Sequence, residues 1–237
     1  MRTSLRVRIL SALFLAGAFT QLIFAAPDDK PRPPETASRH QFGIPPGIKL
    51  EKLIGKPTLL NKFYFVFNDP VSGESRISGF ADAVAVYDLP IEGFIAVMLA
   101  CEAQSGFIPY FMKVKILERG ASEDLIEYKT GIKFLGIEAS YNSIFGSTFE
   151  RIEGGAVGFR SRLVESIDGK EFEHYTSYYF APVTVNGKVM TFFRYFNRPG
   201  VRKPMPGMVE GMRFFIPFAI EGHIAALAKE VARRAKL

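Results

Sequence analysis

ADAVAVYDLPIEGFIAVML, residues 81–99, joins a strand pattern to a helix pattern through Leu89-Pro90. The strand pattern before the proline extends over residues 76–87, and its apolar segment of alternating alanine and valine is typical of a buried strand. Residues 91–103 begin directly after the proline and are rich in alanine, leucine and methionine, which predicts a helix there. The other predicted elements lie on both sides of this strand-to-helix turn.

Strand patterns dominate on both sides of the turn. Upstream, residues 62–68 (KFYFVFN) predict a strand, and residues 48–60 leave room for a short first helix. Asp168-Gly169 and Asn186-Gly187 are dipeptides typical of hairpin turns, so the strands are expected to pair antiparallel. Downstream, apolar–polar alternation predicts strands over residues 112–118, 124–134, 139–150, 156–165, 171–183 and 188–197.

A long helix is predicted to close the chain. The strand pattern breaks at Arg198-Pro199-Gly200, because proline and glycine interrupt strands. Successive strands without strand–helix–strand alternation indicate an antiparallel sheet and one α+β domain over residues 48–237. After the break, one apolar stripe recurs at helical spacing and consists of Ile216, Ile220, Ile224, Leu227 and Val231.

The N-terminal segment predicts export from the cytoplasm. Three arginines precede an apolar core at residues 9–19, and Ala25-Ala26 supplies small residues for cleavage. Residues 1–26 are therefore predicted to be a signal peptide, with an uncleaved membrane anchor as the alternative. Residues 27–47 are rich in proline and charge and are predicted to be a flexible lead-in. The expected location is the periplasm or the outside of the cell.

Charge and cysteine content narrow the classes of function. The chain has 30 basic and 24 acidic residues, a net charge of +6, and loss of the three leader arginines would leave +3. Such a small excess on an exported domain does not suggest nucleic acid, but it is compatible with anionic lipid head groups. The single cysteine, Cys101, cannot form an intramolecular disulfide and lies in an apolar run, so a buried inert thiol is expected.

Three segments carry a resemblance to a known family: residues 81–99 above, IPYFMKVKILE at 108–118, and TFFRYFNRPGVRKPMPGMVEGM at 191–212. The order of elements over about residues 48–235 resembles the START-like (SRPBCC, StAR-related lipid-transfer) superfamily. The resemblance implies a helix-grip fold, in which a curved antiparallel sheet wraps around a long C-terminal helix. It also implies a cavity for an apolar ligand such as a lipid, a sterol or hopanoid, or a polycyclic compound. Family members commonly carry a tryptophan after the helix pair, and this chain has none.

The composition is compatible with such a cavity. The 23 Phe, 9 Tyr and 7 Met residues supply rings and thioethers that suit an apolar ligand, although they could equally fill a core. Arg194 is expected either to point outward by strand alternation or to anchor a ligand hydroxyl or carboxylate, opposite Glu138. The predicted ligand-binding residues are Tyr141, Phe145, Phe159, His174, Phe193, Arg194, Tyr195, Met208 and Met212.

The other sequence features predict neither a cofactor nor a metal. The three histidines are far apart, and the chain has no phosphate-binding loop and no nucleophile elbow. Basic residues beside the methionines at the start of the closing helix, namely Arg198, Arg202 and Lys203, suggest either transient membrane contact or a solvated turn.

Two alternatives to a ligand carrier stay open. The first is a cavity enzyme of the polyketide cyclase/aromatase kind, which the resemblance allows, with Glu138, His174, Arg194 and Tyr195 as candidate groups. The second is an interaction protein whose aromatic residues fill the core and leave no cavity. A carrier is favoured over an enzyme, because no catalytic motif occurs in the sequence.

Overall fold

The computed structural model describes residues 39–134 and 137–236; the predicted signal peptide lies outside them. Within these residues, eight strands and two α-helices form the domain. Short 3-10 helices occur at Leu50–Leu53, Cys101–Gly106 and Glu153–Gly155. In chain order the main elements are β1 (Thr58–Asn68), β2 (Ser75–Tyr87), α1 (Ile91–Leu99), β3 (Phe111–Arg119), β4 (Asp124–Phe134), β5 (Ile137–Ile152), β6 (Ala156–Ser166), β7 (Glu171–Val185), β8 (Lys188–Arg202) and α2 (Met208–Arg234).

The strands form one curved antiparallel sheet in the order β1-β2-β8-β7-β6-β5-β4-β3. The two predicted hairpin turns are confirmed, since Gly169 at φ +67° follows β6 and Asn186-Gly187 joins β7 to β8. Asn186 and Gly187 both have positive φ, as a two-residue hairpin turn requires. The fold is therefore α+β with a helix-grip arrangement, as the resemblance implies.

The closing helix α2 packs on the concave face of the sheet. Its buried residues Ile220, Ile224, Leu227 and Val231 belong to the predicted apolar stripe and lie in the main core, and Ile216 packs against that core. Helix α1 covers the neighbouring part of the same face, where Phe94 lies 5.0 Å from the ring of Phe180. Among the described residues, no helix is both long and apolar enough to cross a membrane.

The predicted break after Asn197 is wrong, because β8 continues through Pro199-Gly200 to Arg202. Proline lacks a backbone N–H and usually interrupts a central strand. Here the pairing of β8 with β2 skips from Gly200 to Asn197, whereas the pairing with β7 includes both Pro199 and Gly200. Because the interruption affects only the pairing with β2, β8 still joins β1 and β2 to the rest of the sheet despite the proline.

Residues 27–38 of the predicted flexible lead-in lie outside the described residues, whereas Gln41 to Gly43 within it pack on the sheet. The N–H of Gln41 donates to the Ser177 hydroxyl at 3.1 Å, and the ring of Phe42 packs 5.7 Å from that of Tyr179. A Cβ built on Gly158 would lie 2.5 Å from the Phe42 ring, so Phe42 sits directly against the backbone of β6. The physical reason is that Phe42 and the backbone around it cover polar groups on the convex face of the sheet.

A candidate ligand cavity between the sheet and the closing helix

A cavity of about 610 Å³ lies between the concave face of the sheet and the first half of α2. Alternate side chains of each strand line the cavity, because every second side chain of a strand points to the same face. β8 contributes Tyr195 and Asn197, β7 contributes His174, Thr176 and Tyr178, and the helix side consists of Met208, Met212, Ile216, Ala219 and Ile220. The cavity is therefore mainly apolar, with a polar section on β7 and β8.

Seven of the nine predicted ligand-binding residues border this cavity. They are Tyr141, Phe145, Phe159, His174, Tyr195, Met208 and Met212. Their contact with a ligand stays a prediction. Phe193 lies on the same face of β8 but outside the cavity, because it is fully buried under α1 against Phe94 and Phe180.

Arg194 does not border the cavity, so the prediction that it anchors a ligand there is wrong. Strand alternation turns it to the convex face, where its guanidinium binds both carboxylate oxygens of Asp82 at 2.6 and 2.9 Å. The same guanidinium donates to the backbone oxygens of Phe42 and Gly43. Both charged side chains are about nine-tenths buried. The side chain of Glu138, its predicted partner, lies outside the described residues.

The three basic residues predicted to contact a membrane are paired with acids on the sheet. Arg198 lies 3.5 Å from Glu173, and Arg202 lies 3.1 Å from Glu74. Lys203 is 3.8 Å from Glu74, but its side chain is 82% exposed. Of the three, Lys203 is the side chain best placed to reach a surface outside the protein.

A polar seam lies along the wall of the cavity, formed by Ser143, Glu171, His174, Thr176 and Asn197. The Ser143 hydroxyl donates to one Glu171 oxygen at 2.6 Å, and His174 Nδ1 lies 2.7 Å from the other. Asn197 Nδ2 lies 2.8 Å from His174 Nε2 and 3.1 Å from the Thr176 hydroxyl. Glu171 itself is only 7% exposed. Of these five residues, His174 alone was predicted from the sequence to bind a ligand.

A second polar group lies under the helix, where His223 is fully buried among tyrosine rings. The hydroxyl of Tyr178 is 3.0 Å from His223 Nε2, and the ring of Tyr195 stacks 4.7 Å from the imidazole. Burial lowers the pKa of His223 to about 3. Burial also raises the pKa of Tyr178 and of Tyr195, so this cluster is uncharged at neutral pH.

Acidification from pH 7 to pH 5 should lower the free energy of unfolding by about 2 kcal/mol through His223 alone. The unfolded histidine takes up a proton below its ordinary pKa of 6.5, whereas the folded one stays neutral down to about 3. The contribution is therefore complete above pH 6.5 and is lost as the pH falls. Denaturant unfolding at pH 7 and pH 5 measures this loss of stability. It should be smaller in His223→Gln than in the unmodified protein. An equal loss in both proteins would contradict this assignment.

Cys101 is buried and free, in agreement with the prediction. Burial raises the pKa of its thiol, which disfavours the reactive thiolate. Within residues 39–134 and 137–236, no group of three or more His, Cys, Asp or Glu side chains is arranged to hold a metal ion.

Comparison with known proteins gives matches among solved structures. No protein-family model matches the chain, and no curated protein does. Human StAR-related lipid transfer protein 5 is 11% identical with a TM-score of 0.51, covering 76% of this chain and 88% of its own. The lipid transfer and protein localization domain of human StarD13 is 10% identical with a TM-score of 0.50, covering 72% and 90%. A STAR-related lipid transfer protein from Xanthomonas axonopodis is 14% identical with a TM-score of 0.49, covering 75% and 99%.

At these identities the likeness shows the fold. The chain has a START-like fold of the SRPBCC kind, as the three sequence segments predict.

Proposed function

We propose that this protein is an exported carrier that binds one hydrophobic ligand in the cavity between the sheet and α2. The observation that carries the proposal is the cavity itself, about 610 Å³ in volume and bordered by rings and methionines. This volume lies in the range of small-molecule sites. A filled core, the interaction-protein alternative, would leave no such space. Export is supported by the signal-peptide pattern of residues 1–26.

The test is native mass spectrometry of the mature protein purified gently from its own host, followed by organic extraction. A bound lipid or polycyclic compound at one copy per chain is the expected result. A clean mass of the free protein from several preparations would count against the carrier.

We also propose that the carrier meets a membrane through an aromatic patch on the first half of α2. This patch consists of Phe214, Phe215 and Phe218, which are 50–65% exposed, together with Met205 at 64%. Exposed apolar clusters of this kind mark contact surfaces. Arg213 and Lys203, both exposed, add positive charge that suits anionic head groups.

The double variant Phe214→Ser/Phe218→Ser should reduce partitioning onto anionic vesicles about tenfold or more. Each ring contributes apolar area to the bilayer interface, and about 1.4 kcal/mol corresponds to a factor of ten. Vesicle co-sedimentation measures the effect. The matched control is Val71→Ser/Val189→Ser, which removes two exposed apolar side chains that belong neither to α2 nor to the patch. Equal partitioning of both variants and the unmodified protein would remove the patch from the proposal.

A second candidate function, a cavity enzyme, is favoured by one observation. The Glu171 carboxylate lies 2.7 Å from His174 Nδ1, the arrangement that orients an imidazole as a general base. Of the four residues predicted for an enzyme, His174 and Tyr195 border the cavity and Arg194 does not. Turnover of the extracted compound by the pure protein, and its loss in His174→Gln, would support this function over simple carriage.

A further inference from the structure

We infer that the polar seam binds an uncharged hydroxyl head group of an amphiphilic ligand and rejects carboxylates and phosphates. This inference rests on the proposed carrier function and names the ligand class within it. It is carried by the hydrogen-bond pattern of Glu171, His174, Thr176 and Asn197, which all border the cavity.

The proton positions in the seam follow from its contacts. His174 Nδ1 faces a carboxylate and therefore carries the proton, and the imidazole then donates to Glu171. His174 Nε2 lies 2.8 Å from the amide nitrogen of Asn197, and because an amide nitrogen only donates, Nε2 is the acceptor. The Glu171 carboxylate is thus bonded by His174 Nδ1 and the Ser143 hydroxyl, and among the described residues no lysine or arginine side chain pairs with it.

The seam has hydrogen-bonding positions left for a ligand, acceptor sites on Glu171 and a donor on Thr176, and these suit a ligand hydroxyl. A carboxylate offers about four lone-pair sites, and the contacts from Ser143 and His174 use two of those on Glu171. The Thr176 oxygen accepts from Asn197, which leaves its own hydrogen free to donate. A ligand hydroxyl can donate to Glu171 or accept from Thr176, whereas an ammonium group can only donate and a carboxylate can only accept.

A carboxylate or phosphate head group is disfavoured in the seam. Burial of a second negative charge beside Glu171, which is 7% exposed, is costly unless a cation accompanies it. Within the described part of the chain, Arg119 is the one arginine or lysine that borders the cavity. Its guanidinium already lies 3.0 Å from Asp124. Away from the seam and the turn between β3 and β4, most of the cavity wall consists of rings, methionines and aliphatic side chains, so the ligand combines one hydroxyl with a hydrocarbon body.

The experiment is displacement of Nile red, an uncharged fluorescent probe, from the delipidated protein at pH 7.5. The competitors are 1-hexadecanol, hexadecanoate and hexadecylamine, which share one chain and differ in head group. We expect the alcohol to compete at least about tenfold better than the acid, the effect of one hydrogen bond to a charged group. Glu171→Gln should reduce this preference to about twofold, whereas Glu123→Gln, a matched change at the border of the cavity, should leave it unchanged.

A second variant keeps the test valid if Glu171→Gln does not fold. Thr176→Val removes the free donor and should weaken the alcohol about fivefold without affecting the acid. If Nile red binds and the three competitors are equal, or the amine is best, the head-group inference is wrong and the carrier proposal stands. An unchanged preference in a folded Glu171→Gln protein also overturns the inference. If neither the probe nor any competitor binds, the carrier proposal itself fails.

Discussion

Replacement of Arg194 by methionine should lower the free energy of unfolding by about 3–5 kcal/mol and leave ligand affinity unchanged. The change removes the partner of Asp82, which is 8% exposed and receives two hydrogen bonds from the guanidinium. A buried carboxylate without its cation costs far more than the lost pair itself contributed. The backbone oxygens of Phe42 and Gly43 lose donors as well.

Chemical denaturation and Nile red titration measure the two parts of this prediction. Arg160→Met is the matched control, because Arg160 pairs with Glu150 at 2.6 Å but both side chains are more than 40% exposed. An exposed pair contributes about 1 kcal/mol or less. The double variant Asp82→Leu/Arg194→Met should regain most of the loss, since it leaves no unpaired charge. A large drop in affinity in a folded Arg194→Met protein would return Arg194 to the ligand site.

Filling the cavity should abolish binding without unfolding the domain. Ala219 borders the cavity from α2, and Ala219→Phe places a ring in space that the ligand would occupy. Displacement of three or four methylenes from the apolar wall costs about 3 kcal/mol, or about a hundredfold in affinity. Loss of bound compound in native mass spectrometry should accompany the loss of Nile red binding.

The matched control is Ala225→Phe, which adds the same ring at an exposed position of the same helix. It should bind like the unmodified protein. Thermal unfolding of both variants shows whether the added ring disturbs the fold. Full binding by a folded Ala219→Phe protein would mean that the ligand lies elsewhere, and the carrier proposal would lose its site.

Local patterns were sufficient to predict most of the fold. The turn at Leu89-Pro90, the Asn186-Gly187 hairpin and the stripe on α2 are short-range signals, and the structure confirms each. Strand alternation, another short-range signal, also predicted which residues share a face of a strand. Tyr141 and Phe145 share a face of β5, and both border the cavity. Pro199 was misleading because the effect of its missing N–H depends on which neighbouring strand the donor would have paired with.

The polar seam could not be predicted, because it depends on an irregularity in the sheet. Glu171 and His174 are three positions apart, and regular alternation would place them on opposite faces. The pairing of β7 with β8 shifts between Glu171 and Glu173, and this bulge brings Glu171 to the face of His174. For Arg194, strand alternation correctly gave the outward orientation and the ligand-anchoring alternative was wrong; its actual partner, Asp82, is 112 residues away in the chain. No local signal identifies such a partner.

The position of β8 in the sheet has a consequence for how the chain folds. β1 and β2 pair with the rest of the sheet only through β8, which is the last strand in the sequence. An isolated two-stranded hairpin is at best marginally stable, so β1 and β2 gain a lasting place only when β8 joins them. Contacts of such long sequence separation form slowly. The sheet therefore cannot be completed before β8 has been synthesised, which is compatible with the export of an unfolded chain proposed above.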